Sequence, residues 1–363
     1  MALGFSGSNG GISSIYHAVD GASNRDHGVR NSQPLEVSYF VNNVCNLNCK
    51  HCYVGYKDTR HANTYEKWTS VFSELIGMGA RTFGNVGKEP LLNWDLTRKL
   101  LAYFKGQQMT IPKLRYGFVT NGLLLTDSII SELVELAPTY IDISMDGTQE
   151  SHEKIRGEGT YQKLISNLEK IAKTELADRV FISFTLNKIN KNDISGVIST
   201  INNMGIKNIL VSPYVTLDKE DALYLSDDEL AEIIWGIVSG ETVDFSRCDH
   251  MNIYVKSDYT TSKGLMDKLM QMGVINQDSL FMDEYGVLFN KYTKGTSDVY
   301  FNYLPYDNTF SQAIRISHDG YVSGCLEMFY NNYEDRAVGN INRASINQIL
   351  QDAVCQTAKA IDN

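Results

Sequence analysis

The feature that most constrains the fold is a regular alternation of strand and helix patterns between about residues 36 and 217. Short runs rich in β-branched and aromatic residues are followed by longer runs in which Leu or Ile recurs at three- and four-residue spacing. Six runs are predicted strands: 37–44, 82–86, 116–120, 140–145, 180–186 and 208–214. Five runs are predicted helices: 64–78, 94–104, 127–136, 161–173 and 193–204. This alternation predicts parallel βαβ units.

The extent of this strand–helix alternation divides the chain into three predicted parts. Residues 1–34 are rich in Gly, Ser and Asn and are expected to form a flexible N-terminal arm. Residues 35–217 are expected to form a partial (β/α)6, TIM-like barrel with its chemistry at the carboxyl ends of the strands. Residues 218–363 carry a helix beginning near Ser226, a hairpin around 313–325 and a final helix near 345–358. The predicted fold class is therefore α/β, a partial barrel with a smaller α+β C-terminal cap.

Composition limits the functional classes. The chain has 363 residues and a formal net charge of −10 without a compact basic run, which disfavours nucleic acid as a partner. No apolar run approaches the ~20 residues of a membrane span, and residues 1–11 lack the pattern of a signal peptide. Six cysteines in such a chain favour free thiols or metal ligands over a disulfide framework. We expect a cytoplasmic enzyme that binds no membrane.

Three cysteines form the most specific motif. Cys45, Cys49 and Cys52 have the spacing C-x3-C-x2-C directly after the first predicted strand. Three thiolates on one loop can converge on a soft metal centre, and three ligands on a four-iron cluster leave one iron open. The alternative is a structural zinc site with His51 as the fourth ligand. Zinc sites usually pair two such knuckles and no second one follows, so iron–sulfur is favoured.

Polar motifs follow the later strands in the same way. Gly87–Pro90 follows the second strand and Thr120–Gly122 closes the third. Ser144–Gly147 closes the fourth, with His152 and Arg156 downstream. Each has an ordinary alternative: an Asn-Gly pair is also a plain turn, and an arginine can be a surface charge. Their order along the chain favours a common site.

After the fifth strand come Thr185 and Asn187, and then Asn190 or Asn192. Asn192 could equally be the N-cap of the next helix.

Together these motifs resemble the radical S-adenosylmethionine (radical SAM) superfamily. The resemblance implies that Cys45, Cys49 and Cys52 bind a [4Fe–4S] cluster whose open iron holds S-adenosyl-L-methionine (SAM). It also implies further contacts to SAM or substrate, by Gly87, Glu89, Asn121, Ser144, Asp146, Arg156 and Thr185. Among these, Gly87 and Glu89 would bind the amino group of SAM, and Ser144 and Arg156 its carboxylate. Lys88 departs from the Gly-Gly-Glu-Pro pattern of the family.

The C-terminal part resembles the SPASM/Twitch extension of the same superfamily, on residues 319–325 and 338–341. That extension normally carries auxiliary clusters, but only Cys248, Cys325 and Cys355 remain here, widely spaced. We expect the hairpin to persist without its metal. Cys325 and Cys248 are also candidate hydrogen-atom donors to a substrate radical, although most lone cysteines are small buried hydrophobes.

The resemblance implies reductive cleavage of SAM to a 5′-deoxyadenosyl radical, which removes a hydrogen atom from a substrate. Without an auxiliary cluster to accept an electron, we expect a redox-neutral outcome: epimerisation, rearrangement or decarboxylation. The expected substrate is a small metabolite or natural-product intermediate, and the expected electron donor is a flavodoxin or ferredoxin. The alternatives are an oxidative dehydrogenase or peptide maturase with an auxiliary cluster, and a non-enzymatic zinc or iron–sulfur structural or sensor protein.

Overall fold

The computed structural model of the chain describes residues 36–52, 54, 62–214, 216, 218–256, 263–282, 288–302, 313–323 and 337–361. The predicted arm at 1–34, and Cys325 with the second half of its hairpin strand, lie outside the described residues. Within the described residues, the structure contains no α-helix with the length and apolar composition of a transmembrane span.

The described part of the chain contains nine α-helices and thirteen strands. The helices are α1 Tyr65–Gly77, α2 Trp94–Gln108, α3 Asp127–Leu136, α4 Gln149–Arg156, α5 Thr160–Ile171, α6 Ile194–Asn203, α7 Asp227–Ser239, α8 Lys263–Gln271 and α9 Ile346–Ile361. The strands are β1 Glu36–Tyr39, β2 Thr82–Asn85, β3 Arg115–Thr120, β4 Tyr140–Ser144, β5 Val180–Leu186, β6 Asn208–Pro213, β7 Asn252–Lys256, β8 Leu280–Met282, β9 Leu288–Lys294, β10 Ser297–Asn302, β11 Ala313–Ile316, β12 Tyr321–Ser323 and β13 Gly339–Asn340.

All thirteen strands join one sheet in the order β13-β12-β11-β1-β2-β3-β4-β5-β6-β7-β10-β9-β8. The strands from β11 through β1–β7 to β10 are parallel. Strands β8 and β9 add to one side, and β12 and β13 to the other, in antiparallel pairs. The predicted fold class is confirmed: a mixed α/β fold with a large parallel sheet and a strand-rich C-terminal extension.

The strands after residue 217 extend this same sheet. β11 pairs with β1 on one side, and β7 pairs with β6 on the other. The C-terminal third therefore continues the barrel sheet at both edges, and in the described residues it builds no sheet of its own.

The outer face of the sheet packs on the helices through a dense aromatic cluster. Tyr39 of β1 lies 5.4 Å from Trp68 and 4.7 Å from Phe72 of α1, measured between ring centroids. Phe83 of β2 lies 4.8 Å from Phe104 of α2. All five side chains are buried, and burying each contributes about 1.5–3 kcal/mol. This packing fixes the carboxyl end of β1, which the cysteine motif follows, and the carboxyl end of β2, which Gly87–Pro90 follows.

The predicted elements agree closely with those observed. β5 and α3 have the predicted bounds, and the hairpin is confirmed by the antiparallel pairing of β11 with β12. Ser226 begins α7 with a capping box: its hydroxyl accepts a hydrogen bond from the Glu229 N–H at 3.3 Å. β1 is shorter than predicted and ends at Tyr39, so residues 40–52 are free to form the cysteine loop.

Candidate active site

The motifs meet at the carboxyl edge of the parallel sheet. The cysteine loop follows β1, Gly87–Pro90 follows β2, and Asn121 follows β3 directly. Ser144 ends β4 and Thr185 is the last residue but one of β5. Because parallel strands end at one edge, segments distant in the sequence become neighbours there.

Asp146 is the centre of the site. Its side chain is fully buried, and Oδ2 accepts a hydrogen bond from Arg156 Nε at 2.5 Å. Oδ1 accepts the Thr185 N–H at 2.7 Å, and the backbone carbonyl accepts Asn190 Nδ2 at 3.1 Å. Although burial disfavours its charge, the Arg156 guanidinium, helped by the hydrogen bond from the Thr185 N–H, holds the pKa of Asp146 below its usual range. The carboxylate is therefore ionised and fixed.

Arg156 connects this carboxylate to the cysteine loop. Its Nη1 lies 3.8 Å from Cys49 Sγ, and its Nη2 lies 3.5 Å from His51 Nε2. Burial raises the pKa of the Cys49 thiol to about 11, and the guanidinium acts in the opposite direction. Metal binding requires the thiolate, so a cation beside Cys49 favours the binding form. The surface-charge alternative for Arg156 is wrong, because the side chain is buried.

Asn121 makes the corresponding connection to Cys45. Its Nδ2 donates to Asn46 Oδ1 at 2.8 Å and lies 3.9 Å from Cys45 Sγ. The Leu47 N–H points at the same sulfur at 3.4 Å. N–H donors directed at sulfur are characteristic of thiolates in iron–sulfur sites, where they tune the cluster. The cysteine surroundings therefore fit a thiolate-ligated cluster.

The zinc alternative fits less well. His51 Nε2 lies 3.4 Å from Asp146 Oδ2, so this nitrogen faces the Asp146–Arg156 pair. Burial lowers the pKa of His51 to about 4, which keeps its ring neutral.

Glu89 joins the second motif to the third. Its Oε1 accepts hydrogen bonds from Thr120 Oγ1 at 2.8 Å and the Leu91 N–H at 3.0 Å, and its Oε2 accepts the Asn121 N–H at 2.8 Å. The carboxyl group is fully buried. Its observed partners therefore position Asn121, and a direct contact to the amino group of SAM stays a prediction.

Glu89 gives a pH-dependent prediction. Burial raises its pKa from 4.5 to about 7, so the folded protein binds this proton more tightly than the unfolded chain does. The stabilising contribution is complete below pH 4.5 and is lost as the pH rises through 7. Relative to Glu89→Gln, the wild type should lose about 3 kcal/mol between about pH 4 and pH 8. Denaturant unfolding across this range measures the difference, and parallel profiles would contradict it.

The two residues before Glu89 have different constraints. A Cβ on Gly87 would lie 2.0 Å from the buried ring of Phe40, so close approach to that ring requires glycine. Lys88 has φ 42°, a left-handed conformation that costs a side-chain-bearing residue about 1–2 kcal/mol. Its Nζ donates a hydrogen bond to the carbonyl oxygen of Val54, two residues after Cys52. The residue that departs from the family pattern therefore fastens the end of the cysteine loop.

Replacing Lys88 should separate these two effects. Lys88→Met removes the bond to Val54 and keeps the backbone strain, whereas Lys88→Gly removes both. We expect the Gly variant to be more stable than the Met variant by about 1 kcal/mol, measured by denaturant unfolding. Both variants should lose iron faster than the wild type on exposure to a chelator. Equal stability of the two variants would show that the strain is negligible.

Burial distinguishes the two asparagines, Asn190 and Asn192, that could belong to the motif after β5. Asn190 is fully buried and also donates to the Thr185 carbonyl at 2.9 Å, whereas Asn192 is exposed. The N-cap interpretation of Asn192 is wrong, because Asp193 is the N-cap residue of α6.

His152, in the motif after β4, accepts the Asp146 N–H through Nδ1 at 3.2 Å. Burial lowers the pKa of His152 to about 4.

The cap cysteines do not join this site among the described residues. Cys248 precedes β7, at the amino-terminal edge of the parallel sheet, and its Sγ contacts the Asp244 carbonyl at 3.6 Å. The cysteine loop lies at the opposite edge, so Cys248 is unsuited to donating hydrogen there. Cys325 lies outside the described residues, and the side chain of Cys355 in α9 is likewise not described.

Two protein-family models match the chain. Residues 39–201 match the radical SAM superfamily, and residues 308–362 match SPASM, an iron–sulfur cluster-binding domain. The first range contains the cysteine loop and every motif described above. The matched regions identify a radical SAM domain at residues 39–201 and a SPASM domain at residues 308–362 of this chain.

Curated relatives match over parts of the chain. Fe-coproporphyrin III synthase of Methanosarcina barkeri is 30% identical over 42% of this chain and 37% of its own length. The sporulation killing factor maturation protein SkfB of Bacillus subtilis is 24% identical over 68% of this chain and 64% of its own length. The chain thus spans less than two thirds of each relative.

A solved structure has the same fold. Streptococcus suis SuiB bound to its precursor peptide SuiA superimposes with a TM-score of 0.62, covering 87% of this chain and 64% of SuiB. The sequence identity is 15%, so this likeness supports the fold alone.

Proposed function

We propose that the chain is a radical SAM enzyme that reductively cleaves SAM and removes a hydrogen atom from a small substrate. The observation that carries the proposal is the pair of connections from the cysteine loop to the later motifs. Arg156 joins Cys49 to Asp146, and Asn121 joins Cys45 to Glu89. These links bring the cysteine loop and the motifs after three later strands to one site, as a cluster that holds SAM would require.

The donor set supports a [4Fe–4S] cluster on Cys45, Cys49 and Cys52, with SAM as the second cofactor. When bound, the cluster supplies the electron that breaks SAM to methionine and a 5′-deoxyadenosyl radical. A reduced protein partner, such as a flavodoxin or ferredoxin, fits the need for that electron.

The protein's own residues position and shield the reactants. Hydrogen bonds from Arg156, Thr185 and Asn190 hold Asp146 in place at the carboxyl edge of the parallel sheet. Asp146 therefore presents a fixed polar surface to the reactants. We propose that Ser144 and Arg156 contact the carboxylate of SAM, and that the Gly87–Glu89 segment contacts its amino group. Most of these groups are held by existing hydrogen bonds, so little ordering remains when SAM binds.

The proposed outcome is redox-neutral, because the cap retains only three widely spaced cysteines. An epimerisation or a rearrangement needs no second acceptor for an electron, whereas a decarboxylation that leaves a double bond releases one. Peptide maturation is the second candidate. It is favoured by the SPASM match and by SkfB, whose name describes a maturation protein and which matches over 68% of this chain.

Anaerobic reconstitution with iron and sulfide, followed by SAM and dithionite, tests the proposal. We expect 5′-deoxyadenosine and methionine in equal amounts, measured by liquid chromatography and mass spectrometry. Loaded protein that leaves SAM intact would contradict the proposed activity. Eight irons per chain rather than about four would indicate an auxiliary cluster and favour peptide maturation.

A further inference from the structure

The inner face of the sheet, opposite the helices, carries a buried apolar floor. It consists of one side chain from each of five parallel strands: Tyr140, Phe181, Leu210, Tyr254 and Tyr300. The rings of Tyr254 and Tyr300 stack at 4.8 Å, and those of Phe181 and Tyr254 lie 6.1 Å apart. All five side chains belong to one buried cluster, so they share one face of the sheet.

A polar layer follows immediately. Two residues further along the same five strands stand Asp142, Ser183, Ser212, Lys256 and Asn302. Because strand side chains alternate between faces, this polar layer faces the same side as the floor and lies nearer the carboxyl edge. Four of its members are buried, whereas Ser183 is half-buried. The interior of an ordinary barrel is filled by branched apolar side chains, so five polar residues here need an explanation.

The charges in this region include more cations than anions. The charges of Lys256 and Arg115 act on Asp142 and favour its ionised form, and Glu36 opposes it. Arg115 lies over the ring of Tyr140, with its Cζ 5.6 Å from the centroid. Arg315, fully buried on β11, stands opposite Ser38 of β1 in the sheet register. Arg115, Lys256 and Arg315 thus form, with Asp142 and Glu36, a group of three cations and two carboxylates on this side of the sheet.

Two buried polar atoms of this layer have no hydrogen-bond partner among the described residues. Asp142 Oδ2 and Ser183 Oγ are buried atoms that accept or donate no hydrogen bond within the described residues. Burial raises the pKa of Asp142 to about 7, so keeping it as an anion is unfavourable without a donor. Leaving such an acceptor unpaired destabilises the folded protein, and a bound donor would remove that penalty.

The polar layer lies beside the proposed cofactor site. Ser144 and Thr185 are two residues beyond Asp142 and Ser183, on the same face of β4 and β5. Thr185 is held to Asp146 through its N–H. A ligand on the polar layer would therefore lie between the apolar floor and the edge where SAM is proposed to be cleaved.

We propose that the polar layer is the substrate-binding subsite and that it recognises a carboxylate with an adjacent hydrogen-bond donor, as in an α-amino or α-hydroxy acid. Lys256 and Arg115 bind the carboxylate, and Asp142 accepts from the ammonium or hydroxyl group. The assignment rests on the proposed function, whose substrate class it specifies.

Thermal unfolding with defined probes tests the subsite. The probes are the twenty L-amino acids and their α-hydroxy analogues, and then the amide of the best acid, which lacks the carboxylate. We expect at least one acid to raise the Tm in a saturable way and its amide to have no effect. Lys256→Met should weaken binding by about tenfold or more. Lys99→Met, on the exposed face of α2, should leave binding unchanged.

Milder variants cover the case in which Lys256→Met fails to fold. Ser212→Ala and Ser183→Ala remove one hydroxyl each and should weaken binding of the same acid. The subsite is refuted if no acid shifts the Tm, or if binding persists in every folded variant of the polar layer. SAM cleavage without added substrate is measured separately. Cleavage without acid binding refutes only the substrate class, and acid binding without cleavage refutes only the proposed activity.

Discussion

Replacing Cys49 by alanine is expected to abolish the iron–sulfur cluster and all formation of 5′-deoxyadenosine. Two thiolates cannot retain a four-iron cluster that three are needed to hold. Cys49 is also the sulfur beside Arg156, so its loss leaves that guanidinium without its nearest sulfur neighbour. The measurement is the visible absorbance of the reconstituted protein, followed by 5′-deoxyadenosine release with SAM and dithionite.

Cys248→Ala is the matched control for this prediction. Cys248 is also a free, partly buried cysteine, but it lies at the opposite edge of the sheet. This variant should keep the full cluster and full SAM cleavage. Retained 5′-deoxyadenosine formation by the Cys49 variant would refute the assignment of the cysteine loop.

Replacing Arg156 by methionine is expected to lower the free energy of unfolding by about 3–5 kcal/mol. The substitution leaves the carboxylate of Asp146 fully buried beside a neutral His51. Arg156→Met should also weaken SAM binding if this side chain contacts the carboxylate of SAM. Denaturant unfolding under anaerobic conditions measures the stability, and equilibrium binding measures the affinity for SAM.

Two further variants isolate the ion pair. Lys154→Met, on the same helix, breaks an exposed pair with Glu150 and should cost less than about 1 kcal/mol. Asp146→Asn combined with Arg156→Met removes both charges and should recover part of the stability lost in the Arg156 variant. Equal losses in the Arg156 and Lys154 variants would show that the buried pair contributes no more than an exposed one.

Much of the barrel could be predicted because local patterns and the fold agree. α3 and β5 were predicted to the residue, since hydrophobic spacing in α3 and a β-rich run in β5 leave little ambiguity. The site followed from one rule, that motifs after successive parallel strands meet at one edge. The connections from Asn121 to Cys45 and from Arg156 to Cys49 required the structure, because side-chain direction is not readable from spacing.

The less predictable parts depend on contacts distant in the sequence. The sequence patterns did not predict β7 and β10 as strands. Their short runs become strands only by pairing, β7 with β6 and β10 with β7. The left-handed conformation of Lys88 is imposed by its surroundings, against its own preference. The polar layer was missed for a related reason, because Asp142 and Lys256 in a strand are normally read as solvent-facing residues.

Iron and acid-labile sulfide per chain, counted after anaerobic reconstitution, test the central claim most directly. The wild type should hold about four of each. A variant with alanine at Cys45, Cys49 and Cys52 should hold none. Zinc without sulfide in the wild type, or an undiminished iron count in the triple variant, would contradict the assignment of these cysteines as ligands of the SAM-cleaving cluster.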